Sequence, residues 1–359
     1  MKKNRDRELS LRYQALLAGV ILICATCGTS AGQAKDAGSH SPRYRVVDLG
    51  AFMAREIDER PGLNQKEHVA SWQVILQTHT KAALVDSQRS MLIGNPSQMG
   101  NSFAFGINDK DELAGILESP NDLRHTQAFY YKEGALQILP ALGGRFAVAK
   151  SIANNGRITG NAETPDKHVH AATWLHGAVY DLGTLPGGDF SRAFEGNDSG
   201  DIAGESNTAP NGKTHAVLWT NGSVHDLGLL SGGSFSSALA VNHRHQAVGF
   251  ADDDEGGSRA VLFSSGKVTD LGSLGDEPSS ALSINDAGQI VGGSPVAEGK
   301  MRAFLWEKGH LVNLNKFIPQ DSGWLLMTAY RINADGDILA EGFHNGTTHL
   351  CLLIPTTKH

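Results

Sequence analysis

Cysteine is scarce in this chain: Cys24, Cys27 and Cys351 are the only three in 359 residues. A disulfide framework is therefore excluded, and packing must supply the stability. Aromatic residues are few, at 7 %. Basic charge is not in excess either: 31 Lys and Arg stand against 38 Asp and Glu, a net of −7. That disfavours nucleic acid and anionic membrane surfaces, which bind basic patches. Sustained helical or heptad periodicity is missing. So are the Gly-x-Ser-x-Gly, His-Glu-x-x-His and phosphate-loop motifs. Only one long apolar run occurs, from Ala15 to Ala25.

That run follows Lys2, Lys3, Arg5, Arg7 and Arg12 and precedes the small residues GTSAGQA. A basic start, a short apolar core and a small-residue exit describe a secretory signal peptide. The run falls short of the roughly 20 apolar residues that a membrane span needs. A signal-anchor is the alternative; Cys27 as a lipid-modified first residue is disfavoured by the poor lipobox Cys24-Ala25-Thr26. We expect cleavage after Ala31 or Ala34. The divisions are then residues 1–34 as signal, 35–42 as linker, 43–355 as one domain and 356–359 as a tail. Losing residues 1–34 removes a net charge of +3 and leaves −10. The expected location is secreted or periplasmic, with no membrane insertion after cleavage, and the expected state is a monomer.

Glycine and repetition are what the chain has in quantity. There are 42 glycines, and one pattern recurs seven times. Asn64, Asn108, Asn197, Asn242, Asn285 and Asn333 each open a short turn, and Ala153 holds the remaining place. Successive spacings are 44, 45, 44, 45, 43 and 48. A period near 45 marks stacked or radial units, none able to bury its apolar face alone. Around each Asn the same segments return. Residues 279–315 read as four short strands: SSALSI, QIVG, MRAFLW and HLVNL. A small residue stands four before the Asn place, as in Ala104, Ala149, Ala193, Ala238, Ala281 and Ala329. Four strands per unit, joined by hairpin turns, make a propeller blade.

The fourth strand occurs seven times only if YRVVDL at 44–49 is counted, and the last repeat stops after its third strand. Two incomplete ends are thus complementary, and joining them avoids two open sheet edges. The expected fold is all-β: a seven-bladed propeller of four-stranded antiparallel blades, with the N-terminal strand completing the last blade.

Three segments carry a resemblance: His215-Ala216-Val217-Leu218-Trp219, Arg302-Ala303-Phe304-Leu305-Trp306 and Gln127-Ala128-Phe129. With Asp226-Leu227-Gly228, Gly232-Gly233 and Ser236-Ser237-Ala238, they make the chain resemble the HAF-repeat family of predicted extracellular bacterial repeat proteins. The match is good over residues 100–350 and poor over 44–99, and no copy reads His-Ala-Phe in full. The resemblance implies export and a repeat fold. It brings no reaction and no catalytic residues.

Candidate chemistry is sparse. The Asn places recur in nearly every unit, so blade geometry explains them better than a unique site. His168 and His170, like His243 and His245, share a strand face. Without further ligands they are not a zinc site. No cofactor is expected; the acidic run Asp252-Asp253-Asp254-Glu255 is the one place where calcium is conceivable. Glu195 is a lone inner-strand acid, with Arg331 at the same slot elsewhere, so the two facing carboxylates of a glycosidase are lacking. Variable loops and inter-blade links share one face, a common arrangement for recognition. The ligand-binding residues drawn from it are Arg124, His168, Asp189, Arg192 and Asp253, with no catalytic residue and no metal ligand assigned. The sequence thus reads as an exported, non-catalytic binding propeller whose partner is a glycan or an envelope protein. A propeller hydrolase acting on polysaccharide or phosphorylated substrates is the alternative.

Overall fold

The computed structural model describes residues 42–57, 59–76, 79–94, 100–119, 126–275 and 278–357. The expected signal peptide, almost all of the linker, and Arg124 lie outside them. Among the described residues, strands form seven four-stranded antiparallel sheets and there are only two short 3-10 turns. The inner strands are Gly62–Leu63, Asn101–Ile107, Ala147–Ile152, Ser191–Gly196, Ser236–Val241, Ser280–Ile284 and Leu325–Ile332. We number the sheets one to seven in that order. Sheet seven takes its outer strand from the start of the chain: Tyr44–Ala51 pairs with Thr347–Pro355, Tyr44 opposite Pro355 and Ala51 opposite His349.

The recurrent Asn builds the contacts between sheets. Its Oδ1 accepts N–H groups of its own turn, as from Arg244 and Gln246 onto Asn242. Its Nδ2 donates to the backbone carbonyl at the same place in the next sheet. The bonds run Asn64 to Asn108, Asn108 to Ala153, Asn197 to Asn242, Asn242 to Asn285, Asn285 to Asn333, and Asn333 back to Asn64. They lie between 2.9 and 3.3 Å. Ala153 cannot donate, so the link from sheet three to sheet four falls to Asn155, which reaches Asp198.

Small residues let the sheets converge. The six recurrent alanines of the inner strands are fully buried between neighbours. In the second strands, a Cβ at Gly115, Gly160, Gly204, Gly249 or Gly292 would lie 1.9–2.1 Å from a carbonyl oxygen of its own sheet's inner strand. Directly after each recurrent alanine the pairing register shifts. The extra residue is Phe105, Lys150, Phe194, Leu239, Leu282 or Tyr330. A bulge re-aims its side chain, and most of these six enter one apolar cluster that also holds Phe52, Trp72 and Phe103.

Residues 52–57 and 59–61 lie against this cluster. Trp72 Nε1 holds the Met53 carbonyl, and Phe52 sits 5.1 Å from the Trp72 ring. The buried Arg60 donates to the inner-strand carbonyls of Leu239 and Leu282. Arg331 forms an ion pair with Glu195, joining sheet seven to sheet four, and its Nε donates to the Pro61 carbonyl. The axis is therefore filled by side chains along much of its length.

Candidate functional site

A concavity lies on the variable-loop face, between sheets two and three. It encloses about 860 Å³. Its walls are the link Gly143-Gly144-Arg145-Phe146, the corner Glu163-Thr164-Pro165, Lys167 and the start of the neighbouring strand at Thr126. Two local features fix that shape. The Arg145 N–H is held by the Glu163 carboxylate at 2.5 Å. Gly143 is left-handed at φ +109, and a Cβ there would meet the Pro165 ring at 2.8 Å. The corner is a turn closed by Thr164 Oγ1, which takes the His168 N–H and bonds Asp166. Half-buried Phe146 and Val148 form an apolar base, and Arg145 and Lys167 stand exposed at the rim.

The four sequence-drawn residues that are described, His168, Asp189, Arg192 and Asp253, are distributed over this face. His168 follows the cleft corner directly, with its ring 3.9 Å from Asp166. Asp189 caps the link into sheet four, where Asn207 Nδ2 donates to it at 2.6 Å. Arg192 bonds Glu205 Oε1 through Nε and one terminal nitrogen, at 2.9 and 2.6 Å, with Phe190 and Phe194 beside its guanidinium. Asp253 closes its own turn: Oδ1 takes the Gly257 N–H at 2.7 Å and Oδ2 takes Arg259 at 2.8 Å. That pairing and the turn bonds hold the Asp253 carboxyl below the usual range. No described bond joins any two of these four residues.

The structure also explains the recurrent His and Asp. His170 meets Asp181, and His215 meets Asp226, each at 2.8 Å across two strands of one sheet. In the same motif the Asp accepts the N–H of the glycine two residues on. The bond from Asp181 raises the His170 pKa against the opposing effect of burial. His243 and His245 turn to separate carboxylates, Asp286 and Asp201. Among the described residues no cluster of His, Cys, Asp or Glu is arranged to hold a metal ion.

Sequence reasoning passed over Arg145, Phe146 and Lys167. The signal available was their position: the link and the variable loop at one sheet junction, flanking the drawn His168.

No family model and no curated protein matches the chain. Among solved structures it is similar to the β-propeller domain of the trilobed protease from Pyrococcus furiosus. Identity is 9 % over 85 % of this chain and 94 % of that one, with a TM-score of 0.57. The fold is that of a seven-bladed β-propeller. A chain of the mitotic checkpoint complex (11 % identity, 93 % and 100 % coverage, TM-score 0.49) and YCF48 bound to a D1 peptide (10 %, 89 % and 99 %, 0.47) are looser likenesses. The likeness at these identities concerns the propeller alone, since one fold hosts many functions. The Pyrococcus domain is described as having an open velcro topology; in this propeller the Tyr44–Ala51 strand lies zipped along the last one.

Proposed function

We propose that the protein is an exported binding propeller that takes an extracellular or envelope glycan in the cleft between sheets two and three. The observation that carries this reading is the cleft itself. Its size lies within the range of ligand sites, roughly 300–1,000 Å³. Phe146 and Val148 offer an apolar floor to the C–H face of a sugar ring, and Arg145, Lys167 and Glu163 offer charged hydrogen-bonding groups at its edge. Export is supported by the order of basic, apolar and small residues at the N-terminus. It predicts that the protein recovered outside the cytoplasm begins at Gly32 or Lys35.

The test is a thermal melt and a calorimetric titration of the protein against cell-wall and extracellular polysaccharides. A ligand at 100 times its dissociation constant adds roughly 2.7 kcal/mol, which a melt resolves. A shift with one class of polysaccharide, without turnover, supports the reading. Turnover of the bound glycan would make the protein a hydrolase. Failure of every glycan, with a protein recovered in pull-downs, would make it an interaction platform.

A further inference from the structure

At the face opposite the variable loops the axis opens in a second pocket, of about 200 Å³, beneath the Asn turns. An aliphatic collar walls it: Leu63, Ile107, Ile152, Val241, Ile284 and Ile332, the residue before the Asn place in six sheets. Sheet four breaks the collar with Gly196. One residue earlier, five sheets carry Gly62, Gly106, Ser151, Ala240 and Ser283, whereas sheet four carries Glu195 and sheet seven Arg331. Five sheets build the blade with a small side chain there, so blade geometry does not call for a carboxylate. Packing explains part of Gly196, because a Cβ there would come within 2.9 Å of Thr159 Cγ2. It does not explain Glu195.

The charged side chains lining the pocket are all carboxylates: Asp109, Glu195, Asp198 and Asp286, with the imidazole of His243 among them. Most of their oxygens are engaged. Asp109 accepts from the Gln65 N–H at 2.9 Å and from Asn154 Nδ2 at 2.8 Å. Asp286 holds His243 through its N–H at 2.8 Å and its ring at 2.9 Å. Arg331 takes Glu195 Oε2, and the Asn155 N–H takes Asp198 Oδ1 at 3.2 Å. Glu195 Oε1 and Asp198 Oδ2 keep no hydrogen bond among the described residues. Glu195, half-buried, directly precedes Gly196, where the collar is open, and Asp198, exposed, follows two residues after it.

We propose that this pocket binds a protonated alkylamine, its ammonium on Glu195 and Asp198 and its hydrocarbon against the collar. An ammonium has three donors and no acceptor, which suits carboxylate oxygens. A hydrated metal ion would set its water shell against six aliphatic side chains, whereas an alkylamine divides its charged and apolar parts as the pocket does. At about 30 Å³ per water the space equals about seven waters, enough for a short amine. A free amine and the tip of a lysine side chain share this chemistry. The site lies on the other face from the glycan cleft and does not depend on it.

The experiment titrates the full protein, followed by NMR, with n-butylamine, with n-butanol and with a capped lysine peptide. The proposal expects n-butylamine to bind, n-butanol not to bind, and Asp198→Asn to weaken the amine at least tenfold. Glu195→Gln should do the same, but it also disturbs Arg331. Asp198→Asn leaves that ion pair intact and so separates binding from folding. Binding of the amine alone assigns the site to a free amine, and binding of the peptide as well assigns it to a lysine tip. Equal binding of butanol, no binding of the amine, or unchanged affinity in D198N overturns the proposal.

Discussion

His349 Nδ1 hydrogen-bonds the carboxylate of Asp48 at 2.8 Å, joining residues 301 apart in sequence. The pair repeats within sheet seven what His170 and Asp181 do in sheet three and His215 and Asp226 in sheet four. Asp48 also takes the Gly50 N–H at 2.8 Å, as the other two acids take Gly183 and Gly228. The first strand of the domain thus stands in the place of a fourth strand, down to its hydrogen bonds.

Deleting residues 43–49 should therefore cost far more than trimming a terminus. It uncovers the edge of Thr347–Pro355 and exposes Tyr44's partners in the cluster around Cys351 and Leu353. One fully buried large side chain is worth about 1.5–3 kcal/mol. Counting Tyr44 and the half-buried Val46, Val47 and Leu49, we expect a loss of the order of 5 kcal/mol in denaturant unfolding. An unchanged midpoint would show that the strand is dispensable.

The ring of asparagines has one missing member, and restoring it should stabilise the fold. Ala153→Asn would add a donor toward the carbonyl at Asn197, as its six counterparts do for their neighbours. A net hydrogen bond is worth about 0.5–1.5 kcal/mol, so a rise of that size is expected. The converse variant, Asn242→Ala, strips donors and acceptors from a buried turn and should cost about 2–4 kcal/mol. Both are read by urea unfolding. A destabilised A153N would mean that the ring bonds follow the fold rather than support it.

The His170–Asp181 pair sets a pH dependence with a definite sign. The bond to Asp181 leads the causes that raise the His170 pKa in the folded state. Its stabilisation is complete below the unfolded value, about 6.5, and fades as pH rises through the raised folded value. Burial pushes the Asp181 carboxyl up, but the His170 bond and the Gly183 N–H outweigh it, so its pKa ends lowered. That contribution is present above about pH 3.9 and is lost as pH falls through the lowered value. Asp181→Asn should lower the His170 pKa in an NMR titration. An unmoved titration would contradict the assignment.

Much of this fold was legible because it is repetitive. A residue that most sheets need recurs along the chain, and the Asn turns (six), the recurrent alanines (six) and the Asp-Leu-Gly corners (four) each announced themselves that way. What stood alone was harder to read. Residues 52–61 form no recurrent unit, yet Arg60 reaches carbonyls of Leu239 and Leu282 on the far sheets. Glu195 and Arg331 were visible as exceptions to a pattern, but their bond depends on which strands face each other across the axis. The candidate site was half legible. The face could be named from the hairpin order, while Phe146 and Lys167 meet only once the link and the loop fold over one junction.

The acidic loop offers a further check. Asp252 holds the N–H groups of Ser234 and Phe235, each at 2.7 Å, and Asp253 closes its own turn against Arg259. With those oxygens engaged, we expect calcium or a chelator to leave the melting temperature unchanged. A calcium-dependent rise would place an ion in that loop.

The central claim is that the cleft between sheets two and three is the glycan site, and one comparison tests it most directly. Arg145 and Lys167 are exposed at the rim, so the R145A/K167A variant should fold with the wild-type melting temperature. Calorimetric titration with a polysaccharide that binds the wild type should then show affinity reduced at least tenfold. Wild-type affinity in a correctly folded double variant would contradict the claim and move the site elsewhere on the propeller.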